Sequence, residues 1–234
     1  MAKTFADRGA TVRVTDVDQV ALASLPNNIE GRCVDASNEA EVAAMFDDIG
    51  EDWGGLDVLC ANAGISGPTA AIEDIELDDW RACLSVNLEG AFLATKYTAP
   101  MMKAHKSGVI IFTSSTAGLF GYPNRAPYCA AKWAIIGLMK TVAMELGPHG
   151  IRSNAICPGA VEGPRMEGVL EREALAKGTT RNAIYDGYVS GTSMRSWVTA
   201  QDIANTTYYL ASEGARLVSG QVISVDGHTV NPDP

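Results

Sequence analysis

Tyr128 and Lys132 stand four residues apart, and Ser115 lies thirteen positions before the tyrosine. A phenol, an ammonium and a hydroxyl are the groups that one proton transfer at an alcohol or carbonyl oxygen would use. Pro127 in front and Gly147-Pro148 behind bound a stretch that is apolar at helical spacing. That pattern predicts a helix over Pro127 to Leu146, with Tyr128 and Lys132 one turn apart on one face. A positive charge beside a phenol favours the phenolate, and a general acid or base works best when its pKa approaches the working pH. The bare spacing also occurs on helices as a solvated pair, so the elements around it must decide.

Those elements are legible as an alternation. Short β-branched runs (Thr11 to Thr15, Leu56 to Ala61, Gly108 to Ser114, Ile151 to Cys157) interleave with helical patterns (Glu39 to Ile49, Asn87 to His105, Pro127 to Leu146). The order predicts an α/β fold, a doubly wound parallel sheet of the Rossmann-like, three-layer α/β/α kind. Such sheets bind ligands at the carboxyl ends of their strands. With 234 residues, 47% hydrophobic and 20% charged, residues 1–234 fit one domain able to bury a substantial core.

Composition narrows the function. A formal charge of -10 and a pI near 4.7 exclude a nucleic-acid binder or a protein of anionic membranes, both of which need a basic surface. Cys33, Cys60, Cys83, Cys129 and Cys157 show no paired spacing and read as reduced, structural thiols. His105, His149 and His228 stand far apart, so no metal site is expected. No apolar run reaches the roughly 18 residues of a membrane span and no signal-peptide core opens the chain, which points to a cytoplasmic protein.

The strand ends carry the remaining candidates. Asp16 closes Thr11-Val-Arg-Val-Thr-Asp16, where a carboxylate can accept hydrogen bonds from an adenine ribose and repel a 2'-phosphate, favouring NAD; an ordinary turn or capping aspartate is the alternative. Asp35 ends the next strand and could face the adenine amino group. Asn62-Ala63-Gly64 follows Leu56 to Ala61, either as a common turn or as small residues that let the backbone approach a flat ligand. Ser115 ends Gly108 to Ser115, where its hydroxyl could bond a substrate carbonyl, and Pro158-Gly159 ends Ile151 to Cys157 in a rigid bend. Five such coincidences at successive strand ends are far less probable than any one.

In order and spacing, Asn62-Ala-Gly64, the mid-helix Asn87, Ser115, Tyr128-x-x-x-Lys132 and Pro158-Gly159 resemble the short-chain dehydrogenase/reductase family over essentially the whole chain. The resemblance implies a catalytic tetrad of Asn87, Ser115, Tyr128 and Lys132. Tyr128 would be the acid/base, Ser115 would polarise the reacting oxygen, Lys132 would also hold the nicotinamide ribose, and Asn87 would hold a relay water. It further implies NAD contacts at Asp16, Asp35, Ala36, Asn62, Ala63, Gly64, Pro158, Gly159 and Val161, and a homotetramer or homodimer. The implied activity is the interconversion of a secondary alcohol and a ketone.

Two departures stand out. Gly163 occupies the place of the threonine that usually follows the valine, and Met1 to Gly9 resembles the remainder of a helix whose preceding strand and Gly-rich phosphate loop are not in the sequence. The missing strand would be central, so its two neighbours are expected to carry unpaired backbone groups, and the chain as it stands is expected to bind NAD weakly. A cofactor-deficient scaffold or regulatory subunit is therefore one alternative, and a 3-oxoacyl thioester reductase another. Substrate choice is expected from a lid over 163–197, where Tyr185, Tyr188, Met194 and Trp197 offer apolar surface to a ligand or else pack the lid or an interface. Arg165 could meet a substrate carboxylate or be a plain surface arginine. Ser219 to Gly227 resembles the family's last strand.

Overall fold

The computed structural model describes residues 1–232, with Arg165 by its backbone alone, so the contact expected of that side chain falls outside the described atoms. In chain order the elements are α1 (Ala2–Ala6), β1 (Arg13–Asp16), α2 (Gln19–Ala23), β2 (Glu30–Cys33), α3 (Glu39–Trp53), β3 (Val58–Ala61), α4 (Leu77–Leu84), α5 (Gly90–His105), β4 (Gly108–Thr113), α6 (Ala126–Leu146), β5 (Ile151–Pro158), α7 (Pro164–Lys177), α8 (Arg181–Ser190), α9 (Ala200–Ala211) and β6 (Val222–Val225).

Alternation along β4 explains the layers. Ile110 and Phe112 pack with Met102 of α5 and Ile135 and Met139 of α6, whereas Val109 and Ile111 pack with Ile203 and Leu210 of α9. Successive side chains of a strand point to opposite faces, so a strand apolar at every position must be covered twice. The result is a three-layer α/β/α fold of the Rossmann-like kind, with β3-β4-β5-β6 all parallel.

β1 and β2 form a separate parallel pair, and among the described residues β1 is hydrogen-bonded only to β2 and β3 only to β4. The smaller sheet is tied down elsewhere: Arg13 bonds Glu30 at 2.8 Å and Asp52 at 2.5 Å, and its guanidinium lies 4.9 Å over the Trp53 ring of α3. α1 packs on α9 through Phe5 and Tyr208, with ring centroids 5.3 Å apart.

Some boundaries differ from the sequence reading. The helix expected from Asn87 starts as a π turn over Ser85–Glu89 and becomes α-helical only at Gly90. Such bulges concentrate where a side chain is re-aimed for function. The lid is two full helices, α7 and α8, and the last strand is confined to Val222–Val225. All five cysteines are free, and burial pushes the Cys60 thiol up to about 11. No helix among the described residues is long and apolar enough to cross a membrane, and no group of His, Cys, Asp and Glu among them could hold a metal.

α9 opens with a reciprocal cap. The Asp202 carboxylate accepts the Thr199 N–H at 2.8 Å and its hydroxyl at 2.6 Å, while the Thr199 hydroxyl accepts the Asp202 N–H at 3.2 Å. These bonds from Thr199 hold the carboxyl below its usual range. Because the folded value is the depressed one, this stabilisation is present above the ordinary carboxylate pKa of about 4 and fades as pH falls below it. We expect Asp202→Ala to cost about 1 kcal/mol at neutral pH. In thermal melts run across a pH series the gap to the parent should close in acid, and a gap constant with pH would refute the assignment.

Candidate active site

Tyr128 sits in the first turn of α6 and Lys132 one turn on, with Nζ 5.5 Å from the centre of the tyrosine ring. Lys132 is only 3% exposed, and Nζ donates to the Thr113 carbonyl at the end of β4 at 2.9 Å. An ammonium so placed is directional, because its carbonyl partner fixes the side chain alongside the phenol. The Ser114 hydroxyl donates to the Lys132 carbonyl at 2.7 Å, which clamps α6 to the carboxyl end of β4. Gly118 permits the clamp: a Cβ there would lie 2.3 Å from Ser114 Oγ and 2.7 Å from the Lys132 carbonyl oxygen.

Ser115, next along, caps the short turn Thr116–Gly118, its Oγ accepting the Ala117 N–H at 3.1 Å. Its own hydrogen stays available to donate to a substrate oxygen. Asn87 is 0% exposed on the π turn, and its Nδ2 donates to the carbonyls of Cys83 at 2.8 Å and Ile65 at 3.0 Å. Its Oδ1 is buried with no protein partner. A Cβ on Gly64 would meet that oxygen at 2.4 Å and Lys132 Nζ at 3.6 Å, so the orphaned acceptor and the ammonium border one small space that only a glycine leaves open.

The other candidate residues lie at or just beyond the ends of their strands. Asp16 is exposed at the end of β1, its Oδ1 accepting the Asp18 N–H at 3.0 Å. Asp35 follows β2, and its Oδ1 accepts the Ser37 hydroxyl at 2.7 Å and N–H at 2.9 Å, which hold the carboxyl below its usual range. Ala36 abuts the start of α5, where a Cβ on Gly90 would approach its carbonyl oxygen to 3.0 Å. Asn62 Oδ1 accepts the Thr113 hydroxyl at 3.0 Å, with Ala63 and Gly64 following in the turn. After Pro158, the Gly159 N–H donates to the Val225 carbonyl at 3.0 Å, and a Cβ on Gly159 would come within 2.9 Å of Asp226. Val161 forms a parallel bridge with Val198, and Gly163 caps α7 at φ +147°, a conformation only glycine adopts readily. Backbone geometry thus accounts for the glycine where the resemblance expects a threonine.

The lid aromatics chiefly pack one another. Trp197 stacks on Tyr185 at 4.6 Å and tilts against Tyr188 at 5.8 Å, beside the buried Leu170, Ala174 and Ile184; Met194 is 71% exposed. A cavity of about 350 Å³ opens between α7 and α8, bordered by Glu162, Arg181 and Tyr185, and it does not touch Tyr128. A second, far smaller one is lined by Thr116, Tyr122, Gly159 and Tyr188. Burial raises the pKa of Tyr122 and Tyr188, so both phenols stay protonated as hydrogen-bond donors. Sequence reasoning passed over Tyr122 and Arg125. The one available signal was that Arg125 precedes Tyr128 by three residues.

A family model described as enoyl-(acyl carrier protein) reductase matches residues 1–228. The chain belongs to the short-chain dehydrogenase/reductase family. Among family members similar to it, (+)-borneol dehydrogenase 1 of Salvia officinalis is 37% identical over 97% of this chain and 88% of its own length. The 3-oxoacyl-(acyl-carrier-protein) reductase of Thermotoga maritima is 32% identical over 97% of the chain and 90% of its own. The crystal structure of an NAD+-bound xylitol dehydrogenase superposes with a TM-score of 0.93 at 28% identity, covering 97% of this chain and 92% of that one. The protein is accordingly an oxidoreductase of CH–OH groups in a family that works with a nicotinamide cofactor. Residues that could hold both ends of such a cofactor are present: an exposed carboxylate at Asp16, and Lys132 beside Gly64.

Proposed function

We propose that the protein interconverts a secondary alcohol and a ketone with NAD, Tyr128 acting as the general acid and base. The observation that carries this reading is the packing of Lys132 Nζ beside the Tyr128 ring, in the same buried space as the unpartnered Asn87 Oδ1. Nicotinamide, when bound, supplies the acceptor for the carbinol hydrogen and its electron pair. The Ser115 hydroxyl donates to the substrate oxygen and holds it toward the phenol. Tyr128 Oη takes the hydroxyl proton as the carbinol C–H bond breaks and C–O becomes C=O; in reduction it returns the proton to the same oxygen. The ammonium of Lys132, oriented by the Thr113 carbonyl, stabilises the phenolate that carries this out, and the positive end of α6 adds to it. A water donating to Asn87 Oδ1 would lead the proton on from Lys132 toward solvent, which gives the buried amide oxygen its partner.

NAD is favoured over NADP because Asp16 presents an exposed carboxylate at the end of β1, where it accepts ribose hydroxyls and repels a 2'-phosphate. Exposed apolar side chains on α5 (Phe92) and α6 (Trp133, Met144) support self-association into the dimer or tetramer that the resemblance implies. The test is a panel of secondary alcohols assayed by the absorbance of reduced nicotinamide, with either cofactor. We expect NAD-linked turnover, and Asp16→Ala should raise the KM for NAD about 10-fold or more, the worth of charge-assisted hydrogen bonds, while relieving discrimination against NADP. A variant that kept the parent's preference would show that Asp16 does not read the ribose.

A further inference from the structure

Arg125 caps α6 directly ahead of Tyr128, and its guanidinium lies 4.9 Å from the centre of the tyrosine ring. Lys132 Nζ lies 5.5 Å from the same centre, so two cations border one phenol. Elsewhere in this acidic chain Arg13, Arg32, Arg81 and Arg181 each pair with a carboxylate. Arg125 has none among the described residues: its Nη2 donates to the Ser66 carbonyl at 3.2 Å, and its Nε is buried without a partner. Glu173 of α7 is committed to the Tyr188 hydroxyl at 2.8 Å and to Lys177 at 3.0 Å. From the lid, Arg172 also reaches Ser66, its Nη2 donating to Oγ at 3.2 Å. Two guanidinium groups, one from the start of α6 and one from α7, therefore converge on Ser66 in the loop after β3, one of them lying against the Tyr128 ring.

We propose that Arg125 is a specificity-determining residue that binds a carboxylate of the substrate, so that the alcohol processed here is a hydroxycarboxylate. The planar guanidinium, with its Nε–H unpaired, matches the two oxygens of a carboxylate, which would supply the partner the protein withholds. Contact with the Tyr128 ring places that carboxylate only a few bonds from the carbinol carbon. Ser66 orients the guanidinium through its carbonyl, and Arg172 borders the same corner from α7. The inference rests on the proposed role of Tyr128, and it names the substrate class of that same site.

The experiment compares 3- and 4-hydroxycarboxylates with their primary amides, which have the same shape and no charge, by kcat/KM and by calorimetric binding. In the parent protein the acids should be preferred about 10- to 100-fold, the usual worth of a hydrogen bond to a charged group. Arg125→Gln should bring the ratio near unity, chiefly through KM for the acids, and Arg125→Lys should restore part of it. A simple packing role for Arg125 would lower both substrates together. Equal turnover of acids and amides by the parent, or an acid preference that survives Arg125→Gln, would overturn the proposal while leaving the dehydrogenase reading intact. Arg125-dependent binding of the acids without turnover would uphold it and count against the proposed reaction instead.

Discussion

Tyr128→Phe should reduce kcat about 100- to 10,000-fold, the span that positioned proton transfer contributes. The change removes one oxygen and leaves the ring that Arg125 and Lys132 border, so packing around the site is preserved. Lys132 keeps its bond to the Thr113 carbonyl, and Ser114 keeps its clamp on the backbone of α6. Nicotinamide binding, followed by fluorescence of the reduced form, and the melting temperature should therefore stay close to the parent's. Turnover retained within a few-fold would remove Tyr128 from the acid/base role. A collapse of binding together with turnover would instead mean that the phenol's main task is to hold the cofactor site.

The largest stability effect is expected at Phe112→Ala. Phe112 is 0% exposed near the carboxyl end of β4, in one cluster with Ile110, Met102 of α5 and Ile135 of α6. Deleting a buried phenyl ring loses its transfer free energy and leaves a cavity that a rigid sheet cannot close, about 3 to 5 kcal/mol in total. For a chain of this length that is roughly 10 °C in melting temperature. The loss should reach the site as well, because β4 ends in the Thr113 carbonyl that holds Lys132 and in the turn that presents Ser115. Thermal denaturation followed by circular dichroism measures it, and a loss below about 1 kcal/mol would show that the neighbouring side chains can refill the space.

The residues of the proposed catalytic centre were legible because their signals are local. Tyr128 and Lys132 declare a common face by their spacing on a helix, Ser115 and Pro158-Gly159 by following apolar strand runs, and Asn62 to Gly64 by a turn after a strand. Lid structure was less legible: α8 carries mixed polar and aromatic residues, and only packing on Leu170 and Trp197 selects a helix for them.

By itself, then, the sequence determined the order of strands and helices, the two-faced apolar character of β4, and which side chains stand at the carboxyl ends of the sheet. Each of these follows from a period of two or of about 3.6 residues, or from a neighbour a few positions away. Only the tertiary structure decided that Lys132 is held by the Thr113 carbonyl, that Asn87 turns an unpartnered oxygen toward Gly64 from a π turn, and that Gly163 must take a positive φ to start the lid. It alone brought Arg125 and Arg172 to Ser66, across 59 and 106 residues of chain. Contacts between segments so far apart depend on how whole elements pack, and no local pattern of residue types encodes them.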